Sequence, residues 1–367
     1  MGPSGCDAVT IESKPARIWL LLGDKVGDNR QVERIAEALG EPFEIRRLVF
    51  GARWQQGKPP FLPALYHVDR DASDALAAPW PDLVLTIGRR PAMAALWVRR
   101  QSGNRTRLVL FGRPKRYFGD FDLIVTPAQY RMPEHGRVLR LGLPLIRLDE
   151  GRIEAEAGAW RARLADLPRP LTVLLVGGKT KPFDMDAGVA RDLLARTLDS
   201  MPADGGLFVS TSRRTPPAMV DVLREGLPEG AKLHAFEPGG GDNPYLALLG
   251  LGDRFVVTGD SVSMLTEIAR LGRPLQIYPL PEAPSTGRGL LRRIEQSPML
   301  AGGLDVLRRW GLAGWPRDLT ALHDLLVGEG RAVRIGDETT AAPASAPPED
   351  ELARVAERVR SVLNGED

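Results

Sequence analysis

Residues 258–264, which read TGDSVSM, could hold a phosphate group. Phe255, Val256 and Val257 precede them as expected for a buried strand, and the residues after them carry apolar side chains at helical spacing. A helix that begins at such a turn leaves its first backbone N–H groups without intrahelical partners and presents the positive end of its dipole. The pattern therefore predicts a strand, a tight turn and a helix whose N-terminus could bind a phosphate or diphosphate.

The same turn also has a purely structural interpretation. Asp260 and Ser261 are favoured N-cap residues and could satisfy the start of the helix themselves. Glu267 could be a solvated helix residue that pairs with Arg270, three positions further on. Because units of strand, turn and helix are common in α/β folds, the turn alone leaves both interpretations open.

Small, polar and basic residues also follow other apolar runs, at residues 24–28, 88–90, 112–116, 177–181, 211–215 and 237–241. Ligands of open parallel sheets bind beyond the carboxyl ends of the strands, so these loops are candidate binding surfaces. Residues 177–181 lack the spacing of a Walker motif, which excludes a P-loop nucleotidase. The loop at 211–215 could instead cap a helix before Pro216, and Arg113, Lys115 and Arg116 could form a solvated face.

The elements that would position these loops alternate between strand and helix. At 367 residues the chain is too long for one typical core, which favours two domains. The alternation runs over residues 17–150 and again over 171–336, which predicts two alternating α/β domains joined by a linker at 151–170.

The two ends of the chain differ from this pattern. Residues 1–16 are predicted to be flexible, and residues 337–348, an Ala/Pro/Ser/Thr run, are predicted to be a disordered linker. Residues 349–367 predict a C-terminal helix with Leu352, Val355, Val359 and Leu363 on one apolar stripe. That stripe would suit a helix that crosses back to pack on the N-terminal domain, or one that contacts a partner.

The composition excludes several classes of protein. The chain has 49 Lys and Arg against 47 Asp and Glu, so its formal charge of +2 does not suggest nucleic-acid binding. Cys6 is the only cysteine, which excludes an intrachain disulfide and a cysteine-based metal cluster and fits a cytoplasmic location. The four histidines lack metal-ligand spacing, so we expect no metal site. No apolar run approaches the ~20 residues of a membrane span, so any membrane contact would be peripheral.

Three motifs resemble those of a known family: TSRRTP at 211–216, NPY at 243–245, and TGDSVSM at 258–264 followed by Glu267. They are similar to motifs in bacterial relatives of the plant elongated-mitochondria fission protein, a family described as glycosyltransferases of the two-domain GT-B fold. The resemblance covers most of residues 17–330. TGDSVSM also resembles the donor-nucleotide segment of GT-B enzymes such as the lipid-linked peptidoglycan glycosyltransferase. The resemblance implies a GT-B-like fold, two Rossmann-like domains facing a cleft, with a nucleotide sugar held mostly by the C-terminal domain.

The resemblance also implies roles within the donor site. Ser261 and Ser263, with the backbone of residues 259–262, would hold the diphosphate, and Glu267 would accept hydrogen bonds from ribose hydroxyls. Arg213 or Lys179 would neutralise the leaving diphosphate in place of a metal. The base would lie near Phe236 and Glu237. The full set of expected donor contacts is Gly178, Lys179, Ser212, Arg213, Arg214, Phe236, Glu237, Gly259, Asp260, Ser261, Ser263, Met264 and Glu267.

The first loop departs from the pattern of the family, which usually reads Gly-x-x-Gly-His. In this chain the position of the histidine is taken by Asp28. A carboxylate can deprotonate an acceptor hydroxyl, so Asp28 is the candidate catalytic base and Asp24 is the reserve candidate. Asp28 could equally cap a helix that begins at Asn29 or Arg30.

The sequence thus favours an inverting, metal-independent glycosyltransferase without a cofactor. Its donor would be a nucleotide sugar and its acceptor a cell-envelope or lipid-linked molecule at the cytoplasmic face of the membrane. One alternative within the same fold is a sugar-nucleotide epimerase. Another is a non-catalytic scaffold for membrane fission, which Asp28 in place of histidine favours. Retention of Arg213, Ser261 and Glu267 favours an enzyme, because a pure scaffold needs no polar cleft.

Overall fold

The computed structural model describes residues 15–55, 62–114, 116–146, 148–240, 242–283, 298–310, 315, 317–337 and 351–366. The predicted flexible N-terminus, apart from residues 15 and 16, and the predicted disordered linker, apart from residue 337, lie outside the described residues. Cys6, Lys115 and Gly241 lie outside them as well.

The chain forms two compact units. Unit 1 comprises Met1–Val125, Glu134–Leu139 and Leu352–Asp367, and unit 2 comprises Thr126–Pro133 and Arg140–Glu351, each taken over its described residues. Residues 151–170, which we predicted as a linker, therefore lie within unit 2.

The first sheet contains the strands β1 (Ile18–Leu22), β2 (Phe43–Arg47), β3 (Leu83–Ile87), β4 (Arg107–Phe111), β5 (Leu123–Pro127) and β6 (Val138–Leu141). Their order across the sheet is β2-β1-β3-β4-β5-β6, and the pairings from β2 through β5 are parallel. The helices of this part are α1 (Val26–Leu39), α2 (Ala52–Gln55) and α3 (Arg89–Gln101). Every residue of β1 is buried, as expected for a parallel strand covered on both faces.

The second sheet contains β7 (Leu171–Val176), β8 (Gly206–Thr211), β9 (Lys232–His234), β10 (Arg254–Thr258), β11 (Leu275–Tyr278) and β12 (Val333–Arg334). Their order is β12-β11-β10-β7-β8-β9, and all five pairings are parallel. The carboxyl ends of β10, β7 and β8 are therefore neighbours on one edge of the sheet. The predicted α/β class, with two parallel sheets, is confirmed.

The helices of unit 2 are α4 (Glu150–Trp160), α5 (Ala187–Ser200), α6 (Pro217–Gly226), α7 (Tyr245–Leu251), α8 (Val262–Arg270), α9 (Pro298–Arg309) and α10 (Thr320–Gly328). Asp186 caps α5, because its Oδ1 accepts the backbone N–H of Val189 at 2.8 Å. No helix in the described part of the chain is apolar over a length that would cross a bilayer.

The last helix, α11, spans Glu351–Asn364, and from Leu352 onward it belongs to unit 1. Its buried face consists of Val355, Ala356, Val359 and Val362, whereas Leu352 and Leu363 of the predicted stripe are only half-buried. Within unit 1, Arg360 Nη2 donates to the carbonyl of Ala38 at 2.7 Å.

Several elements differ from the sequence-based expectations. The helices α9 and α10 and the strand β12 were not predicted, because their segments are rich in glycine or too continuously apolar to show a clear period. The short helix α2 was not predicted either. The helix α1 begins at Val26, earlier than the predicted Asn29 or Arg30.

Candidate functional site

The carboxyl ends of β10 and β7 are joined by a short chain of hydrogen bonds. Thr258 Oγ1 accepts the backbone N–H of Gly177 at 2.7 Å and donates to Asp260 Oδ1 at 2.7 Å. Asp260 Oδ2 in turn accepts the backbone N–H of Gly178 at 2.8 Å. We call Gly177, Gly178, Thr258, Gly259 and Asp260 the strand-end cluster.

Asp260 is a buried structural carboxylate. Only 3% of its surface is exposed, and burial raises its pKa, although the hydrogen bonds from Thr258 and Gly178 oppose the shift. The N-cap position of α8 is Ser261, and no side-chain hydrogen bond caps that helix in the described structure. Ser261 therefore occupies the N-cap position that the structural alternative expected, but neither its side chain nor that of Asp260 forms the capping hydrogen bond. Asp260 instead connects two loops, and the first N–H groups of α8 keep the binding capacity expected of an uncapped helix start.

Both glycines of residues 177–178 are required by close packing. A Cβ atom at Gly177 would lie 2.3 Å from Asp260 Oδ2, and one at Gly178 would lie 2.3 Å from the Cβ of Arg214. No real Cβ approaches other atoms so closely, so any larger residue would push the two loops apart.

The motif TSRRTP forms a turn whose hydroxyl groups connect neighbouring strands. Thr215 Oγ1 donates to the carbonyl of Gly177 at 2.6 Å and accepts the N–H of Ser212 at 2.8 Å. Thr211 Oγ1 accepts the N–H of Phe236 at 3.0 Å. The turn does not cap α6, whose N-cap is Pro216 without a side-chain hydrogen bond, so the predicted capping alternative is wrong.

The basic side chains of this edge are exposed. Arg213, Arg214 and Lys179 all project to solvent, and the N–H of Lys179 bonds the carbonyl of Arg214 at 3.1 Å. Arg214 Nη1 lies 3.4 Å from Thr180 Oγ1. The hydroxyl groups of the turn thus hold the backbone, while its arginines remain accessible to an anion.

Gly259 is held by a histidine distant in sequence. His323, on α10, is 3% exposed, and its Nε2 lies 2.7 Å from the carbonyl of Gly259. Because a carbonyl oxygen only accepts, the ring donates through Nε2, and burial lowers the pKa of His323. A Cβ at Gly259 would lie 2.5 Å from His323 Cε1. The sequence offered no signal for this role, because residue spacing indicates nothing about a partner 64 positions away.

Glu267 and Tyr245 form a hydrogen-bonded pair, in which the Tyr245 hydroxyl donates to Glu267 Oε2. Burial raises the pKa of Glu267, and the bond from Tyr245 partly offsets that rise. Burial and the neighbouring carboxylate raise the pKa of Tyr245 well above its ordinary value. Arg270 donates to the carbonyl of Pro144 at 3.1 Å and pairs with Glu351 at 3.8 Å. The contacts of the described residues include no pair between Arg270 and Glu267, which was the structural alternative. The pair links the NPY motif to the helix of TGDSVSM.

The other predicted donor contacts occupy varied environments. Ser263 is exposed and Ser261 is half-buried at the start of α8. Met264 packs against the core of unit 2. Phe236 is half-buried and Glu237 is exposed after β9. Ser212 is half-buried, and its Oγ lies 3.1 Å from Thr215 Oγ1 within the turn.

The candidate catalytic carboxylates lie in unit 1. Asp24 is exposed, and its two oxygens lie 3.1 and 3.2 Å from Nη1 of Arg90. Asp28 lies in the first turn of α1, whose N-cap is Lys25, so the alternative in which Asp28 caps this helix is wrong. The side chain of Asp28 is outside what the structure describes. Over the described residues, His, Cys, Asp and Glu side chains form no group of three that could hold a metal.

A family model described as mitochondrial fission ELM1 matches residues 26–300, about three quarters of the chain. The chain is 28% identical over 220 residues to the mitochondrial fission protein ELM1 of Arabidopsis thaliana; the match covers 54% of this chain and 51%, about half, of the plant protein. It is 24% identical over 299 residues to the uncharacterized protein RP120 of Rickettsia prowazekii, covering 71% of this chain and 82% of that protein.

Solved structures with a similar backbone include a glycosyltransferase from Rickettsia africae, with a TM-score of 0.47 and 10% identity over 96% of this chain and 100% of that chain. Another is MnaA of S. aureus in a co-structure with UDP, with a TM-score of 0.48 and 12% identity over 96% of each chain.

Proposed function

The chain belongs to the mitochondrial fission ELM1 family, and on that premise we propose that it transfers a sugar from a nucleotide-sugar donor to an acceptor hydroxyl. The proposed reaction inverts the anomeric centre without a metal. We place it at the cytoplasmic face of the membrane, with a cell-envelope acceptor. The observation that carries the proposal is the strand-end cluster. There a hydrogen bond joins the loops after β7 and β10, beside exposed arginines and the uncapped start of α8.

The diphosphate of the donor fits this edge for two reasons. An uncapped helix start offers backbone N–H groups and a positive dipole end, to which the hydroxyl groups of Ser261 and Ser263 add donors. Arg213, Arg214 and Lys179 add positive charge from the neighbouring loops. Arginine suits this role because its planar fork makes two parallel hydrogen bonds to phosphate oxygens.

Glu267 is proposed to bind the ribose. Its Oε2 accepts the hydroxyl of Tyr245, and we assign the ribose hydroxyls to Oε1. A carboxylate held in one orientation loses little entropy on binding, because its partner has already ordered it. Phe236 and Glu237, beyond β9, are the proposed contacts of the base.

In the proposed chemical step a carboxylate of unit 1, Asp28 or in reserve Asp24, takes the proton of the acceptor hydroxyl. The acceptor oxygen forms a bond to the anomeric carbon as the bond from that carbon to the diphosphate oxygen breaks. The leaving group is a nucleoside diphosphate, and Arg213 neutralises the charge that develops on it.

The test is a thermal-shift screen with nucleoside diphosphates and their hexose conjugates. A ligand at a hundred times its dissociation constant stabilises the native state by roughly 2.7 kcal/mol, which is readily measured. Glu267→Gln should weaken binding of the selected nucleotide about tenfold, because it removes a charge-assisted acceptor worth roughly 1.5 kcal/mol. Arg213→Gln should weaken binding of the nucleoside diphosphate but leave binding of the free nucleoside unchanged.

The matched control is Glu225→Gln, which changes an exposed glutamate on α6 and should leave binding unchanged. If no nucleotide shifts the transition of the wild-type protein, the proposal is wrong. Turnover of the donor without any acceptor would indicate an epimerase instead of a transferase.

A non-catalytic scaffold is the second candidate function, and one surface feature favours it. On and just after α9, Val306, Leu307 and Trp310 are 48%, 43% and 74% exposed. Large exposed apolar side chains of this kind suit a membrane or protein contact. The scaffold would be favoured over the enzyme by two results together. The protein would sediment with lipid vesicles, and Trp310→Ala would abolish this, while no nucleotide would shift the thermal transition.

A further inference from the structure

One tyrosine of unit 2 holds a residue of the proposed donor site. Tyr245, from the NPY motif, is the first residue of α7 and is not among the expected donor contacts. Its hydroxyl group donates to Glu267 Oε2 on α8. The two residues lie 22 positions apart in the sequence, so the pair forms only when α7 and α8 come together in the folded unit.

Tyr245 is itself held by its backbone and by its ring. Its N–H donates to Asn243 Oδ1 at 3.0 Å, and its ring packs against the core of unit 2. Burial and the neighbouring carboxylate raise the pKa of its hydroxyl group well above the ordinary value of 10.0, so the group stays protonated at neutral pH. Tyr245 is therefore a permanent donor in a fixed position.

The pair leaves one oxygen of Glu267 available to a ligand. The bond from Tyr245 occupies Oε2 of this half-buried carboxylate. Over the residues that the structure describes, no group donates to the other oxygen, Oε1. An ionised carboxylate only accepts hydrogen bonds, and both of its oxygens can do so. Oε1 therefore keeps its full capacity to accept.

The position of Glu267 on α8 suits a ribose. Ser263, a proposed diphosphate contact, lies four residues earlier, so the two side chains are on the same face of the helix. Four residues advance a helix by about 6 Å. The ribose hydroxyl groups of a nucleotide lie at a comparable distance from its first phosphate. Glu267 can therefore meet the ribose while the start of α8 meets the diphosphate.

We propose that Tyr245 is a positioning residue that makes the site prefer a ribonucleotide to a nucleotide without ribose hydroxyl groups. Its bond to Oε2 stops rotation of the Glu267 carboxylate, and Oε1 then accepts a hydroxyl group of the ribose. Tyr245 does not contact the nucleotide and acts only through Glu267. The inference rests on the proposed function, because it takes Glu267 as the ribose contact.

Isothermal titration calorimetry of the full chain tests the inference. The probes are ADP, CDP, GDP and UDP, each compared with its 2′,3′-dideoxy counterpart. The variants are Tyr245→Phe, Glu267→Ala and their combination. The matched control is Tyr278→Phe, which removes the hydroxyl group of another buried tyrosine of unit 2, one that donates to Asp192 Oδ2 at 2.7 Å. Phenylalanine keeps each ring and its packing, so both variants should fold.

We expect the wild type to bind its preferred ribonucleotide at least tenfold more tightly than the dideoxy form. Tyr245→Phe should reduce this preference about three- to tenfold, the effect of having to order one side chain on binding. Its affinity for the dideoxy form should not change. Glu267→Ala should abolish the preference, and adding Tyr245→Phe should then have no further effect. Tyr278→Phe should keep the wild-type preference.

Two results would overturn the role of Tyr245 while leaving the proposed function intact. One is equal weakening of both forms of the nucleotide by Tyr245→Phe, as expected of a merely structural residue. The other is a loss of the same size when Glu267 is already alanine. If the wild type binds none of the ribonucleotides, the proposed function itself fails and the inference fails with it.

Discussion

Replacing Asp260 tests whether this carboxylate ties the loops of unit 2 together. Asp260→Ala removes the acceptor of two hydrogen bonds, from Gly178 N–H and Thr258 Oγ1. A buried N–H left without a partner costs about 1–3 kcal/mol, and the lost bond to Thr258 costs about 1 kcal/mol more. The substitution also removes the free-energy cost of burying a carboxylate, which offsets part of this loss. We therefore expect a net loss of about 2–3 kcal/mol.

Asp260→Asn should be far milder. The amide oxygen can accept the N–H of Gly178, and the amide nitrogen can donate to Thr258 Oγ1, which has a second lone pair beside the one used by Gly177. The Thr258 hydroxyl hydrogen then lacks its acceptor, and the second hydrogen of the amide finds none within the cluster. The expected cost is about 1 kcal/mol.

Differential scanning calorimetry measures both variants. For a unit of this size, 1 kcal/mol shifts the transition by about 2–4 °C, so alanine should lower it by roughly 4–12 °C. The control Asp242→Asn removes an exposed ion pair with Arg163 and should change it by less than about 2 °C. The reasoning is refuted if alanine behaves like the control, or if asparagine is as damaging as alanine.

The pH dependence gives an independent check on Asp260. Its pKa is raised in the folded state, so the folded protein binds more protons than the unfolded chain in the window just above the ordinary value of 3.8. Stability should therefore fall as pH rises through that window. Asp260→Asn does not titrate and should lack this contribution.

Two further predictions concern the packing around the strand-end cluster. Gly177→Ala should destabilise unit 2 by about 1–3 kcal/mol in calorimetry, because its Cβ would meet the Asp260 carboxylate. Gly302→Ala, on an exposed part of α9 with open space around it, should instead stabilise by about 0.5–1 kcal/mol, and equal effects at the two glycines would contradict the packing argument. Because the pKa of His323 is lowered in the folded state, its contribution to the free energy of unfolding is fully present above the ordinary pKa of 6.5. That contribution declines as the pH falls below this value. His323→Gln should flatten that decline between pH 7.5 and 5, and parallel profiles of variant and wild type would show that His323 does not cause it.

The predictable parts of this protein are the ones set by short-range pattern. The apolar runs of β1 and β7 are buried along their whole length, as their composition indicated. The strand, turn and helix at β10 and α8 were also predictable, since a change from continuous apolar residues to helical spacing is visible in the sequence. The helix α9 was not, because glycines at 302 and 303 lower its intrinsic helix propensity.

The roles of the site residues depended on the tertiary structure. Asp260 looked like a helix cap, and it proved to be the acceptor that joins two strand ends 82 residues apart. The pairing of β10 with β7 decides this, because parallel register places Thr258 beside the end of β7, next to Gly177. Likewise, Glu267 pairs with Tyr245 of a different motif and not with Arg270, its neighbour on the helix.

The sequence alone therefore determined the class of each unit and the loops that carry polar groups, since hydrophobic periodicity and turn residues act over a few positions. Only the folded chain decided which of those polar groups are structural ties and which remain accessible. The physical reason is that the role of a hydroxyl or carboxylate depends on which group it hydrogen-bonds in the folded chain. The side chains of Thr215, Thr258 and Asp260 form hydrogen bonds with backbone groups of residues 177–178. Arg213 and Lys179 remain at the surface.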